Sequence, residues 1–172
     1  MNKLSNSSTQ SNYYGLILIL SIIGAILFTF TDFGGYIGGF YDYRYSISLE
    51  SSFSNPDLLA FAPLFILVIC LFLMNIFLPL KELKVIKASF PNNSAKLGFY
   101  SSLLILIISA VGAVAFEVIL SDAGAVDWWL DAGFYAGIIG GILLPLLYYF
   151  VMKKPTSATS QTTYPPPPPP PN

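Results

Sequence analysis

The sequence predicts an all-α membrane protein of four transmembrane helices, with a partly β outer loop and a disordered proline-rich C-terminal tail. Three observations carry this. The 172 residues are 55% hydrophobic and 10% charged, with a mean hydropathy of +0.68, which is too apolar for a soluble domain of this size. Four stretches, at about 15–32, 58–80, 97–120 and 132–152, are almost free of charge. Each is long enough to cross a hydrocarbon core of about 30 Å at about 1.5 Å per residue. The charges between them sort by sign, as shown below.

Residues 1–12 are polar and too poor in apolar groups to bury anything, so a disordered cytoplasmic arm is expected. The transmembrane domain then occupies 13–154. Tyr13 and Tyr14 open the first span, in which Ser21, Ala25 and Thr29 recur every fourth residue beside Gly24. That spacing gives the helix a smooth packing side. The run resembles a signal peptide in position, but no small-x-small cleavage site closes it, so it reads as a retained anchor.

The first long connection follows Asp32. Its glycine pairs, Gly34-Gly35 and Gly38-Gly39, break any helix. From Tyr41 to Glu50 the chain alternates strictly, with Tyr41, Tyr43, Tyr45, Ile47 and Leu49 on one face and Asp42, Arg44, Ser46, Ser48 and Glu50 on the other. This is a β-strand pattern, and a strand needs a partner in this loop, in another subunit or in another protein. An aromatic loop resting on lipid headgroups is the alternative.

Ser54-Asn55-Pro56-Asp57 has the composition of a helix start and is expected to launch the second span at 58. Pro63 and Pro79 lie near its ends, where a missing donor is best tolerated. Cys70, the only cysteine, reads as a small buried hydrophobe. In the connector 81–96, Lys81, Lys84 and Lys87 fall on one helical side and Leu83 and Ile86 on another, which predicts a short helix along the interface.

The third span places Ser109, Ala113, Glu117 and Ser121 at four-residue spacing. On that pattern Glu117, the one acid of the span, shares a packing face with small residues and points at protein. Arg44 is the only cation on the same side of the membrane, which makes an Arg44–Glu117 ion pair one candidate tie between outer loop and bundle, in competition with seven other acids; a protonated Glu117 bonded to a serine is the alternative. A faint echo links residues 21–28 to 109–116, which share serine, glycine, alanine and phenylalanine at matching positions. Independent use of small residues explains it as well as duplication does.

In the fourth span Ala132, Ala136 and Gly140 form one small-residue series and Gly133, Gly137 and Gly141 the series beside it. Two adjacent stripes of this kind mark a close helix-packing surface. Trp128 and Trp129 flag one rim, and Tyr148 and Tyr149 the other. Beyond Lys154, residues 155–172 have no apolar periodicity and include seven consecutive prolines from Pro165 to Pro171. A polyproline II rod of about 22 Å is expected, either a spacer or, with Tyr164, Pro165, Pro168 and Pro171 as contacts, a ligand for a cytoplasmic polyproline-binding protein.

Four spans put both termini on one side. That side holds Lys3, Lys81, Lys84, Lys87, Lys96, Lys153 and Lys154 against Glu82 alone. The other holds Arg44 against Asp32, Asp42, Glu50, Asp57, Glu117, Asp122, Asp127 and Asp131. By the positive-inside rule the termini are cytoplasmic and the location is the cell membrane, as a multi-pass protein. The outline resembles the tetraspan arrangement of claudin and MARVEL proteins, in topology alone. The first connection has no cysteine pair and no tryptophan, so no claudin function is carried over.

Histidine is absent and Cys70 is the only cysteine, so bis-histidine haem, zinc sites built on His or Cys and iron–sulfur clusters lack their ligands, and no cofactor or metal site is expected. No serine lies in a G-x-S-x-G turn, and Glu117 has no second carboxylate at helical spacing within its span, so an enzyme is not expected. The reading that remains is an interaction module or accessory subunit whose partners are membrane lipid, other membrane subunits or a second copy, and not nucleic acid. A small cation channel or transporter, or a subunit of one, is the alternative, with the outer acids concentrating cations.

Overall fold

A computed structural model describes residues 3–38, 43–54, 56–87, 93–122, 125 and 127–153. In chain order the elements are α1 (Lys3–Phe30), β1 (Gly34–Gly38), β2 (Tyr43–Ile47), α2 (Leu49–Ser54), a 3-10 turn (Pro56–Phe61), α3 (Ala62–Glu82), α4 (Ser94–Asp122), β3 (Asp127–Leu130) and α5 (Ala132–Met152). The protein is thus mostly helical, with four long apolar helices and a small antiparallel sheet. Four helices of this length and composition make it a multi-pass membrane protein. The expected proline-rich tail lies outside the described residues, as do residues 88–92 of the connector.

The long helices form a ring in which α1 packs on α3 and α5, and α4 packs on the same two. Phe72 of α3, fully buried, fills the middle. Its ring lies where a Cβ on either Gly24 of α1 or Gly140 of α5 would have to go. Glycine at these two positions lets three helices share one phenylalanine.

The ring is plugged at the sheet end by Phe33, in the link between α1 and β1. Its ring meets one phenylalanine from each long helix: Phe28 of α1 at 6.2 Å, Phe65 of α3 at 5.6 Å, Phe116 of α4 at 6.2 Å and Phe134 of α5 at 5.6 Å between centroids, all but Phe65 and Phe134 among wider contacts and all in edge-on geometry. The same residue's backbone ties in the sheet, since Phe33 N–H donates to Ile47 O at 2.7 Å and Asp131 N–H donates to Phe33 O at 2.9 Å.

The sheet order is β2-β1-β3. The strand expected over 41–50 is found as β2, and its partner is within the chain: Tyr36 pairs with Tyr45 and Gly34 with Ile47. The tryptophan pair adds the third strand, with Gly35 opposite Trp129 and Tyr36 opposite Trp128. Gly34 and Gly35, read as helix breakers, have a second role as places of close approach. A Cβ on Gly34 would lie 2.5 Å from Trp129 O, and one on Gly35 would meet the Trp129 ring.

Four local expectations are corrected. The alternation stops at Ile47 because Ser48 and Ser51 cap each other across α2: Ser48 N–H donates to Ser51 Oγ at 2.7 Å and Ser51 N–H to Ser48 Oγ at 3.2 Å. The second span starts at Ala62, not 58, because Pro56 opens a 3-10 turn and the α-helix begins only with Pro63 in its first turn. The interfacial helix over 81–87 does not form. Lys84 adopts φ 60°, with Lys84 N–H donating to Lys81 O and Val85 N–H to Leu80 O, both at 2.9 Å, which closes α3 as a Schellman turn. At the N-terminus α1 extends back to Lys3, through the polar stretch expected as an arm, because a stable apolar helix propagates at little cost once nucleated.

Candidate interaction site

The small-residue stripes lie inside the ring. Gly133, Ala136, Gly137, Gly140 and Gly141 are buried and Ala132 is half-buried. A Cβ on Gly137 would overlap Ser109 Oγ of α4, one on Gly141 would sit 2.6 Å from Leu106 Cα, and one on Gly133 would sit 2.8 Å from Asp32 O. The smooth face is therefore occupied by the chain's own helices. Cys70, expected to be buried, is exposed on the outside of α3, because the inward positions of that helix are held by Val68, Leu71, Phe72 and Asn75.

The stripe from Ser109 does not stay on one face. Ser109 is buried, Ala113 half-buried, and Glu117 and Ser121 exposed. At 3.6 residues per turn, a step of four advances about 40° around the helix, so two steps carry Glu117 about 80° away from Ser109. The length of α4 adds a second reason. Its 29 residues span about 43 Å, more than the hydrocarbon core, and the uncharged run between Lys96 and Glu117 is residues 97–116, about 30 Å. Glu117 thus lies about one hydrocarbon thickness along α4 from Lys96.

Arg44 is not its partner. The two residues form no ion pair among the described residues, and the guanidinium instead lies 5.5 Å from the centroid of Trp129. The pairing register puts Arg44, Ile37 and Asp127 in one row of the sheet, and Ser46, Gly35 and Trp129 in the next row on the same face. The Trp129 indole crosses the sheet over Gly35, whose missing Cβ makes room, and Arg44 caps it. On this face arginine finds an aromatic surface two strands away, which a pairing by charge alone overlooked. The opposite face looks into the bundle, with Ile47 buried and Trp128 edge-on to Phe116 at 6.1 Å.

A polar clasp between α3 and α4 escaped the sequence reading. Asn75, fully buried, donates from Nδ2 to Leu71 O at 2.8 Å and to Ser101 Oγ at 2.9 Å. Ser101 Oγ donates to Gly98 O at 2.9 Å. Ser102 Oγ lies 2.6 Å from Gly98 O and 3.1 Å from Asn75 Oδ1 and shares its hydrogen between them. The signal was present, as Asn75 is the one asparagine within the apolar stretches and Ser101-Ser102 sits one span later. Three further buried hydroxyls, of Ser21, Ser109 and Tyr148, have no hydrogen-bond partner among the described residues. No group of three potential metal ligands occurs among the described residues. Tyr164, Pro165, Pro168 and Pro171 lie outside them.

No protein-family model, curated protein or solved structure matches the chain.

Proposed function

We propose that the protein is a non-enzymatic interaction module, acting as an accessory subunit of a membrane complex in the cell membrane. Both termini are cytoplasmic, and residues 164–171 serve as the ligand of a protein that reads polyproline on aromatic grooves. The observation that carries this reading is the division of labour in the fold. The small-residue faces and phenylalanines are spent on closing one bundle around Phe72 and Phe33. Two features are left over for recognition: the face of the sheet where exposed Arg44 lies over half-buried Trp129, and the proline run that the sequence carries. A conduction path along the bundle axis would have to displace Phe72, which favours the interaction reading over the channel.

Copurification in mild detergent followed by mass spectrometry tests it. The full chain, a chain lacking Pro165–Pro171 and the variant Trp129→Ala/Arg44→Gln are compared. A set of partners that loses members in either variant supports the proposal. An unchanged set, together with cation conductance from liposomes holding only this protein, would reverse it in favour of a channel.

A further inference from the structure

At the lysine end of the bundle one arrangement occurs three times. Phe77 lies one turn inside Lys81 on α3, Tyr100 one turn inside Lys96 on α4, and Tyr149 one turn inside Lys153 on α5. Residues four apart share a helix face, so the backbone carrying each ring lies about 6 Å further along the helix, toward the bundle middle, than that carrying its lysine. All three rings are open to the surroundings: Phe77 and Tyr149 are 48% exposed and Tyr100 is 67% exposed. Lys153 Nζ hangs 5.9 Å from the Tyr149 centroid. Lys81 Nζ donates to Ser94 Oγ at 3.2 Å and lies 3.8 Å from Glu82, which holds it against the start of α4, two residues before Lys96. Because α4 packs on both α3 and α5, the three pairs follow one another around the bundle. Lys84 and Lys87 are exposed beside them, and among the described residues Glu82 is the single acid at this end.

We infer that this collar binds the headgroups of anionic phospholipids, with the ammonium groups on phosphate oxygens and the rings against the glycerol and upper acyl chain. Fixing the orientation of a span requires only positive charge near its end. It does not require an exposed ring one turn deeper on each of three neighbouring helices. A lysine near the helix end with an aromatic ring one turn further in suits a phosphate group and the interfacial layer just beneath it, where aromatic side chains partition. Each lysine engaged near an anionic surface favours it by about fivefold over a neutral one.

The test uses the full chain in micelles holding equal amounts of phosphatidylglycerol and phosphatidylcholine with matched acyl chains. Native mass spectrometry counts the lipids retained. Phosphatidylglycerol should be retained in at least about fivefold excess. The excess should fall toward parity in Lys96→Gln/Lys153→Gln and persist in Lys96→Arg/Lys153→Arg. Thermal melting in phosphatidylcholine alone checks that both variants are folded, and single Gln variants replace the double if it is not. Parity in the unsubstituted protein, or an excess untouched by the Gln changes, overturns the inference. So does loss of the bound lipid to inorganic phosphate but not to sodium chloride of equal ionic strength, which would make the site one for a free anion.

Discussion

Phe33 connects more of the molecule than any other single side chain described above. It touches a phenylalanine on each long helix, and its backbone bonds both edges of the sheet to the bundle. Phe33→Ala should therefore destabilise by about 3–5 kcal/mol, the range for an aromatic ring lost from a packed core. Chemical denaturation in detergent, followed by tryptophan fluorescence because Trp128 and Trp129 sit in the sheet, would read it; a loss under about 1 kcal/mol would mean that the plug is dispensable. Lys84 makes the opposite kind of prediction. A lysine at φ 60° pays for a conformation that glycine adopts freely. Lys84→Gly should stabilise by about 1 kcal/mol, seen as a raised melting temperature, and a fall would show that the charge matters more than the turn. Arg44 and Glu117 belong here too. Since Arg44 rests on Trp129 and Glu117 is exposed, Arg44→Gln should cost about 0.5–1 kcal/mol and Glu117→Gln almost nothing, and the double variant should show their sum.

Among the elements, the α3–α4 pair is held by the Asn75 clasp and the α4–α5 pair by the fit of Gly137 on Ser109. A double-mutant cycle between Asn75→Ala and Ser102→Ala should give a coupling of about 0.6–1.7 kcal/mol, the range found for hydrogen bonds between membrane helices; additive losses would leave the clasp without net effect. Gly137→Leu should cost about 1–3 kcal/mol by overpacking, read as a lower melting temperature in detergent. The long apolar helices were legible in the sequence because lipid admits one backbone solution to a long uncharged run. The strand β2 was legible because tyrosine and polar residues alternate over Tyr43–Ile47. Its partners were not. β1 is three glycines in five residues and β3 is two tryptophans in four, and neither has an alternation long enough to register. Their pairing depends on Gly35 opening space for Trp129, a contact between residues almost a hundred positions apart. The face of Glu117 was misread for a simpler reason: four-residue spacing follows a helix face closely for one step and drifts off it after two.

Across the whole molecule, length and charge divide the helix bundle into two rims. The ends of α1, α4 and α5 nearest the sheet carry Asp32, Glu117 and Asp131, and the opposite ends of α3, α4 and α5 carry Lys81, Lys96 and Lys153. Between each pair of boundaries run about 20 apolar residues, or about 30 Å of helix, so the two rims stand one hydrocarbon thickness apart on every helix that has both. Sheet, α2 and the 3-10 turn all gather at the acidic rim, and the link from α3 to α4 turns at the basic one. The positive-inside rule then predicts that the sheet is extracellular and that the α3–α4 link is cytoplasmic. Single cysteines placed in a Cys70→Ala background would decide this in intact cells. Ser54→Cys, exposed at the end of α2, should react with a membrane-impermeant maleimide from outside, and Asn93→Cys, exposed before α4, should react only after permeabilisation. The reverse pattern would turn the molecule over, moving the lysine collar to the outer leaflet and the proline run outside the cell. Labelling of both sites in intact cells would remove α3 as a membrane span, and with it the four-helix arrangement on which every assignment of sidedness depends.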